Sequence, residues 1–347
     1  MIVFTSITLN YLPKARVLAK TLKRMNPNRE FHVFISDLLL EEEKESFIQG
    51  NASLFDRIYW LDDLEVENKK AWIFKHTVVE LCTAVKGLYL RHLINQDHKK
   101  IVYIDPDIAI FNDLSPIESL LDEYAILLAP HLLDFSDESQ AILDNEIGGT
   151  MRHGVFNLGF LAINAQKSDG QRFAKWWSSR LYEYCYADYE RGLFTDQKWC
   201  DLVPAFFEDY YIIRDPGYDV ASWNLNKRKL SFSKDGQILV NEKYPLRFYH
   251  FTGYDSGIGR LMTQRYGTQC SVVEEVWAWY LREVTKMGQN EWQIHLCHFD
   301  FYKDGKEILP RERKLYRNRE DLQSTYKDPY AIGKKLRRYA RRKESRV

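Results

Sequence analysis

The segment Ile101-Val102-Tyr103-Ile104-Asp105-Pro106-Asp107 joins a short apolar run to two carboxylates. The run is typical of a buried strand, and Pro106 cannot donate a hydrogen bond to a neighbouring strand, so regular pairing is expected to end there. Asp105 and Asp107 are therefore predicted at the mouth of a sheet. Carboxylate oxygens suit Mg²⁺ or Mn²⁺, ions that often complete their shells with a ligand's phosphates. Acids also gather at strand ends to face water or cap a helix, and the tripeptide alone favours that interpretation.

The residues on either side predict alternating strands and helices. Strands are expected over residues 1–7, 31–35, 58–61, 101–104, 125–129, 159–164 and 247–251, and helices over 13–26, 72–86 and 171–186. This alternation predicts an α/β fold with a mostly parallel sheet between helices, whose ligands bind beyond the carboxyl ends of the strands. The pattern fades after Tyr254, and the glycine-rich residues 253–259 are the best candidate for a loop or boundary. We therefore expect a domain over 1–255 and a mainly helical extension over 256–347.

Composition narrows the class of protein. The 347 residues are 45% hydrophobic and 14% aromatic, so the chain can bury a large core and is not a disordered protein. The five cysteines are odd in number and never at Cys-x-x-Cys spacing, which argues against a disulfide framework and a zinc site; they are Cys82, Cys185, Cys200, Cys270 and Cys297. A reducing cytoplasmic location is expected, because the N-terminus is typical of a first strand rather than a signal peptide and no run is long enough to span a bilayer.

The basic C-terminal tail is the main charge asymmetry. The chain has no formal net charge, but residues 327–347 hold nine Lys or Arg against two acidic residues. Ile332, Leu336 and Tyr339 recur at helical spacing, which predicts a basic amphipathic helix. One hypothesis is peripheral contact with an anionic membrane at its inner face; the alternative is a solvated helix or one docked on the protein itself. Nucleic acid is not expected as a partner, because the basic residues form one terminal cluster on an acidic body.

Three later segments change the interpretation of the paired acids. They are Gly154-Val155-Phe156-Asn157-Leu158-Gly159, Phe194-Thr195-Asp196-Gln197 and His250-Phe251-Thr252-Gly253. With residues 103–108, this ordered set resembles the nucleotide-sugar glycosyltransferases of the GT-A fold, and specifically a divergent relative of glycosyltransferase family 8. The resemblance implies a GT-A catalytic domain over 1–255. It also implies transfer of a sugar from a UDP- or GDP-sugar donor to a glycan or lipid-linked acceptor, as in polysaccharide biosynthesis.

The resemblance also implies a metal site. Asp105, Asp107 and His250 would be ligands of a Mn²⁺ or Mg²⁺ ion that bridges the donor's diphosphate, and Asp105 would also touch the ribose. Neutral imidazole is a usual ligand of Mn²⁺, and a histidine on a late strand reaches the acids only if the sheet brings them together. Taken alone, His250 is typical of a hydrogen-bonded strand histidine beside Tyr249.

The remaining site residues come from the same comparison. The donor would be bound by Asn157, Gly159, Lys86 and Gly253. Asn157 and Gly159 also suit a turn before a strand. For Lys86, a lysine on a helix surface is the commoner interpretation.

Asp196 would bind sugar hydroxyls and Gln197 would face the anomeric carbon opposite the leaving group. A neutral amide is a poor nucleophile, so the resemblance implies retention of the anomeric configuration through an oxocarbenium-like pair. The competing mechanism has Asp196 as the nucleophile. A purely structural interpretation has Thr195 or Asp196 as a helix cap.

The sequence departs from the family pattern in one place. The family extends His-x-x-Gly by x-x-Lys, and Ser256 occupies that position here, so Arg260, Lys227 or Arg228 would have to supply the phosphate-binding cation. The aromatic and polar residues 215–224 suit either an acceptor pocket or an ordered connection.

Two other functions share part of this pattern. A haloacid-dehalogenase-like phosphohydrolase should carry its acids on the first strand and a Thr or Val where Ala109 stands. An inactive carbohydrate-binding or nucleotide-sugar-binding module would not need the metal set.

Overall fold

The computed structural model describes residues 1–267 and 271–344, with side chains described through Arg341. Cys270 and residues 345–347 of the basic tail therefore lie outside the described residues. The other four cysteines are free thiols, three of them buried.

Strands and helices alternate through the first two thirds of the chain. The strands are β1 (Ile2–Ile7), β2 (Glu30–Ile35), β3 (Arg57–Trp60), β4 (Lys100–Ile104), β5 (Ile108–Ile110), β6 (Ile126–Pro130), β7 (Phe156–Asn164), β8 (Ala187–Asp188), β9 (Leu193–Phe194), β10 (Tyr210–Ile212), β11 (Val220–Ala221), β12 (Leu230–Phe232), β13 (Ile238–Val240), β14 (Tyr244–Pro245) and β15 (Phe248–His250). The helices are α1 (Leu12–Met25), α2 (Glu41–Asn51), α3 (Lys69–Phe74), α4 (Val78–Asn95), α5 (Ser115–Glu123), α6 (Ser139–Ala141), α7 (Ser168–Tyr184), α8 (Gln197–Cys200), α9 (Val203–Phe206), α10 (Ile258–Tyr266), α11 (Ser271–Lys286), α12 (Gln289–Trp292), α13 (Pro310–Arg317), α14 (Glu320–Thr325) and α15 (Gly333–Glu344). A π-helix, Ile142–Met151, follows α6.

A seven-stranded sheet in the order β10-β6-β7-β4-β1-β2-β3 forms the centre of the fold. Strand β7 runs antiparallel to β4 and β6, and the other four pairings are parallel. Side chains alternate between the two faces: Tyr103 packs with α4 and α7 on one face, and Val102 with α1 on the other. The predicted α/β class, with a mostly parallel sheet, is confirmed.

A second, three-stranded sheet in the order β11-β15-β5 begins where the apolar run ends. After Pro106 the chain leaves the central sheet and forms β5, which pairs antiparallel with β15 so that His250 lies opposite Ile108. The backbone N–H of Phe251 donates to the carbonyl of Asp107 at 2.8 Å. The break at Pro106 therefore brings the late histidine strand to the paired acids.

Two predicted elements needed correction. The single helix expected over 72–86 is wrong: α3 ends at Phe74 and α4 begins at Val78. Thr77 caps α4, since its side chain accepts from the Glu80 N–H while Glu80 accepts from the Thr77 N–H, a capping box that the sequence carries. The turn considered for Asn157 and Gly159 is also wrong, because β7 already begins at Phe156.

The C-terminal region is mainly helical, as predicted. Helix α11 covers β15, and the ring of Tyr280 stacks on Phe251 with centroids 3.7 Å apart. In the tail helix α15, Leu336 and Ala340 are buried against the protein, so the apolar side of this helix docks on the fold itself. Within the residues described, the search for helices long and apolar enough to cross a membrane found none.

Candidate active site

Asp105, Asp107 and His250 converge between the two sheets. The Nε2 atom of His250 lies 3.1 Å from Oδ1 of Asp107 and 3.9 Å from Oδ2 of Asp105. One ligand atom from each residue lies within 4.8 Å of the others. Two carboxylate oxygens and an imidazole nitrogen suit Mn²⁺ or Mg²⁺, which leave further positions for water and phosphate. The donor set therefore fits a divalent cation.

The charged groups of this cluster shift one another's pKa values. Burial raises the pKa of Asp105; the Lys86 ammonium opposes this rise and the Asp107 carboxylate adds to it. Burial also acts to raise the pKa of Asp107, but His250 outweighs it and the net direction is downward. For His250, burial favours the neutral ring, yet Asp107 and then Asp219 lift its pKa well above 6.5. Without a cation, a proton on His250 balances the acids.

Asp219 lies behind His250 and was not predicted as part of the metal site. Its Oδ1 is 3.5 Å from the Nδ1 atom of His250, and its side chain is completely buried. Within the described chain, neither carboxylate oxygen of Asp219 has a hydrogen bond of standard geometry, so its charge faces the imidazole. Metal-binding histidines commonly direct their second ring nitrogen at such a carboxylate. Nothing in the sequence separates Asp219 from the other polar residues of 215–224.

Lys86 is a buried link between acids, not a helix-surface lysine. Its Nζ donates to Asp196 at 2.8 Å, to Asp105 at 3.3 Å and to the carbonyl of Leu158 at 3.2 Å. It also lies 4.0 Å from the ring centroid of Tyr103, whose hydroxyl donates to Asp105. An ammonium has three N–H donors, and here each has a protein acceptor. Lys86 thereby fixes the positions of Asp105 and Asp196 together.

Asn157 and Gly159 occupy consecutive positions on one side of β7. The side-chain oxygen of Asn157 accepts from the Gly159 N–H at 2.8 Å, and its amide nitrogen lies 3.1 Å from Nε2 of His131. A Cβ atom at Gly159 would lie 2.6 Å from the His250 ring, so only glycine allows β7 to come this close to the histidine. Gly159 is therefore required by the close packing of β7 against His250.

The segment that ends in Asp196 and Gln197 is held in an unusual conformation. Thr195 has φ 42°, a left-handed conformation that is rare and strained for a β-branched residue. Asp196 makes no side-chain cap of α8, so the capping interpretation is wrong. Gln197 bridges two backbone groups: it accepts from the Leu158 N–H at 3.3 Å and donates to the carbonyl of His153 at 3.3 Å. Its amide is thereby oriented beside β7.

The three cations expected to replace the family lysine lie in different surroundings. Arg228 is buried and donates to the backbone carbonyls of Pro216, Tyr218 and Asp219, so it holds the connection before β12 together. Arg260 pairs with Glu274, and Lys227 is exposed.

An unpredicted cation lies next to the replaced position. Lys14 of α1 is buried and pairs with Asp255, the neighbour of Ser256. A lysine among helix-forming residues looks like a surface residue in the sequence, so no sequence signal pointed to it.

The connection 215–224 contributes directly to the surroundings of His250. The Trp223 ring packs edge-on against His250, with centroids 5.4 Å apart, and its Nε1–H donates to the carbonyl of His131 at 3.1 Å. Asn224 donates to the carbonyls of Asp219 and His131.

Gly253 is in a left-handed turn, φ 69°, which leads the chain away from His250 into α10.

The chain matches one family model and two curated bacterial proteins. The model described as "Glycosyl transferase family 8" matches residues 2–238. The uncharacterized protein YfnF of Bacillus subtilis (strain 168) is 29% identical over 180 residues, 50% of this chain and 57% of YfnF. YfnD of the same strain, also uncharacterized, is 25% identical over 233 residues, 65% of this chain and 69% of YfnD. This chain thus spans little more than half the length of YfnF.

Solved structures of glycosyltransferases are more distant. The galactosyltransferase LgtC, solved with donor and acceptor sugar analogs, is 17% identical with a TM-score of 0.47, over 77% of this chain and 96% of that chain. GlyE of Streptococcus pneumoniae TIGR4 is 16% identical with a TM-score of 0.46, over 87% and 66% respectively. These scores lie below 0.5, so the likenesses say nothing about the chemistry of this chain.

Proposed function

The chain belongs to glycosyl transferase family 8, and on this basis we propose that it is a metal-dependent transferase that moves a sugar from a nucleoside diphosphate sugar to an acceptor. The acceptor would be a glycan or a lipid-linked sugar, and the anomeric configuration would be retained. One observation carries the proposal: Asp105, Asp107 and His250 come together in a donor set that fits Mn²⁺ or Mg²⁺. A divalent cation bound there would supply positive charge to the departing diphosphate.

Lys86 supports an assignment of separate tasks to the acids. It holds the carboxylate of Asp196 at 2.8 Å and that of Asp105 at 3.3 Å, so both are fixed in position before the donor arrives. In the proposal, Asp105 holds the cation and the ribose, whereas Asp196 accepts hydrogen bonds from sugar hydroxyls. A carboxylate paired with an ammonium is a weakened nucleophile, which favours this role for Asp196 over covalent attack.

Gln197 would face the anomeric carbon on the side away from the diphosphate. Its amide is held between the Leu158 N–H and the His153 carbonyl, so it cannot swing away from β7 without losing both hydrogen bonds. The amide oxygen would stabilise positive charge on the sugar ring without forming a lasting bond. Asn157 and Gly159 would line the sugar's other edge. These roles extend the family resemblance to the geometry of this chain.

We further propose the division of the chain and its location. Residues 1–255 would be the catalytic domain and residues 256–347 an extension, in a cytoplasmic protein. Because Leu336 and Ala340 are buried, any contact with an anionic membrane would use the exposed basic side of α15 rather than an inserted apolar face. Release of the protein from anionic vesicles by added salt would distinguish this electrostatic contact from insertion of an apolar face.

The proposal is tested by incubating the protein with UDP- and GDP-sugars, with and without Mn²⁺, and measuring release of the nucleoside diphosphate. Release should require the metal and should fall about 100-fold or more in Asp107→Asn, because a ligand of the cation is lost. Asp235→Asn, an exposed acid in the β12–β13 turn, is the matched control and should keep full activity. Cleavage of sugar phosphates with covalent labelling of Asp105 would instead identify a phosphohydrolase. Metal-dependent binding of a nucleotide sugar without turnover would identify an inactive binding protein.

A further inference from the structure

Lys14 occupies a position that is unusual for a lysine. It lies in the first turn of α1, with a side chain only 1% exposed. Its ammonium is 3.5 Å from the ring centroid of Tyr11 and pairs with Asp255. Lysine is almost never fully buried unless it is paired, because desolvating an ammonium is costly. A buried cation at this place therefore needs an explanation.

Lys14 is connected to the candidate metal site through two segments of the fold. Helix α1 packs directly on β5, the strand that follows Asp107, and the hydroxyl of Thr21 accepts from the Ile110 N–H at 3.1 Å. The segment that carries the partner of Lys14 also starts at these acids, since the Phe251 N–H donates to the carbonyl of Asp107 at 2.8 Å and Asp255 follows shortly after Phe251. Lys14 thus joins α1, which packs on β5, to the segment that leads away from His250.

The present partner of Lys14 is replaceable. Asp255 lies on the segment after β15, its side chain is 44% exposed, and it lines a cavity of about 1150 Å³ together with Tyr11, Tyr254 and Arg260. Water can solvate the Asp255 carboxylate if it leaves, whereas the buried ammonium of Lys14 then needs another anion in its place. Among the described residues, Asp255 is the one hydrogen-bond partner of the Lys14 ammonium, so two of its three N–H groups can serve a ligand.

We propose that Lys14 binds the diphosphate of the donor, which takes the place of Asp255 at the ammonium. This inference rests on the proposed function and identifies the phosphate-binding cation that Ser256 does not supply. A diphosphate held by the metal site would lie between two positive groups, the divalent cation on the acids and Lys14 on α1. Asp255 would turn into the adjoining cavity, and no covalent bond changes in this exchange.

The test measures binding of inorganic pyrophosphate in the presence of Mn²⁺ by isothermal titration calorimetry, a probe that does not depend on the unknown base or sugar. Lys14→Met should weaken pyrophosphate binding about 10- to 100-fold, since a charge-assisted hydrogen bond is lost. Asp255→Asn should bind pyrophosphate as tightly as the unmodified protein or more tightly, because the competing carboxylate is gone. Lys20→Met, in the same helix and paired with Glu283, is the matched control and should change nothing.

Three outcomes would overturn the inference. The first is a Lys14→Met variant that is folded by circular dichroism and binds pyrophosphate within about twofold of the unmodified protein. The second is an Asp255→Asn variant whose pyrophosphate binding is weakened as much as that of Lys14→Met, which would make the pair a structural link. If Lys14→Met does not fold, the Asp255→Asn variant alone decides. If the unmodified protein binds neither pyrophosphate nor UDP and GDP with Mn²⁺, the proposed function fails as well, an outcome distinct from the first two.

Discussion

Replacing Lys86 by Met should destabilise the protein by about 3–5 kcal/mol in the absence of metal. Removing one partner of a buried ion pair leaves the other charge uncompensated, and that penalty is of this size. The exposed fractions show where it falls: the Asp196 side chain is 4% exposed, whereas that of Asp105 is 26% exposed and can recover some hydration. The cost is therefore expected to come mainly from Asp196. Methionine has a similar length, so loss of packing should add little.

The assay is urea unfolding of metal-free protein, followed by tryptophan fluorescence and compared at equal m-value. The double variant Lys86→Met/Asp196→Asn should regain about 1–3 kcal/mol relative to the sum of the single changes, since neutralising the acid removes the stranded charge. Lys100→Met, whose partner Asp122 is 68% exposed, is the control and should cost less than about 1 kcal/mol. A loss below about 1 kcal/mol for Lys86→Met, or additive effects in the double variant, would refute the charge link.

Three further changes test the neighbourhood of the metal site. Asp219→Asn should weaken Mn²⁺ binding about 10- to 100-fold by calorimetry, because the carboxylate that orients His250 is lost; unchanged affinity would contradict this role. Burial works against the raised pKa of His250, but Asp107 outweighs it, so the free imidazole is protonated near pH 7. Mn²⁺ affinity should then rise with pH and binding should release close to one proton, seen as a dependence of the heat on the buffer; a buffer-independent heat contradicts it. Thr195→Gly should change the free energy of unfolding by less than about 1 kcal/mol. Relief of left-handed strain, about 1–2 kcal/mol, should offset the lost hydrogen bond and the added entropy of the unfolded chain. A decrease in the free energy of urea unfolding of more than about 2 kcal/mol would show that Thr195 is unstrained.

The parts of the fold that local sequence patterns determine were predicted well. The apolar runs of β1, β2 and β4 and the helical spacing of α1 indicated these elements within a few residues. The sequence did not predict the direction of β7 or the small β11-β15-β5 sheet, because both depend on which distant strands pair. The break between α3 and α4 has a sequence signal in the capping box of Thr77 and Glu80. The apolar periodicity continues across the break, however, and predicted one helix instead of two.

The site divides in the same way. Asp105 and Asp107 follow directly from a strand that ends at a proline, and the family resemblance pointed to His250. The partners of these groups could not be predicted, because Lys86 and Lys14 look like ordinary helix lysines until the tertiary structure buries them. Charge pairing across more than a hundred residues leaves no periodic signal in one sequence.

The position of Pro106 explains why the paired acids need two sheets. The N–H of Asp105 donates to the carbonyl of Gly159 at 2.8 Å, which ties this residue to β7, while the carbonyl of Asp107 accepts from Phe251 and is tied to β15. In an uninterrupted strand, Asp105 and Asp107 would point to the same face of one sheet. Both would then be out of reach of His250, which belongs to the second sheet. By ending pairing between the acids, the proline lets one carboxylate stay with Lys86 and lets the other meet His250. A cation bound by both would join the sheets, so its affinity should depend on how rigidly β5 and β15 are paired.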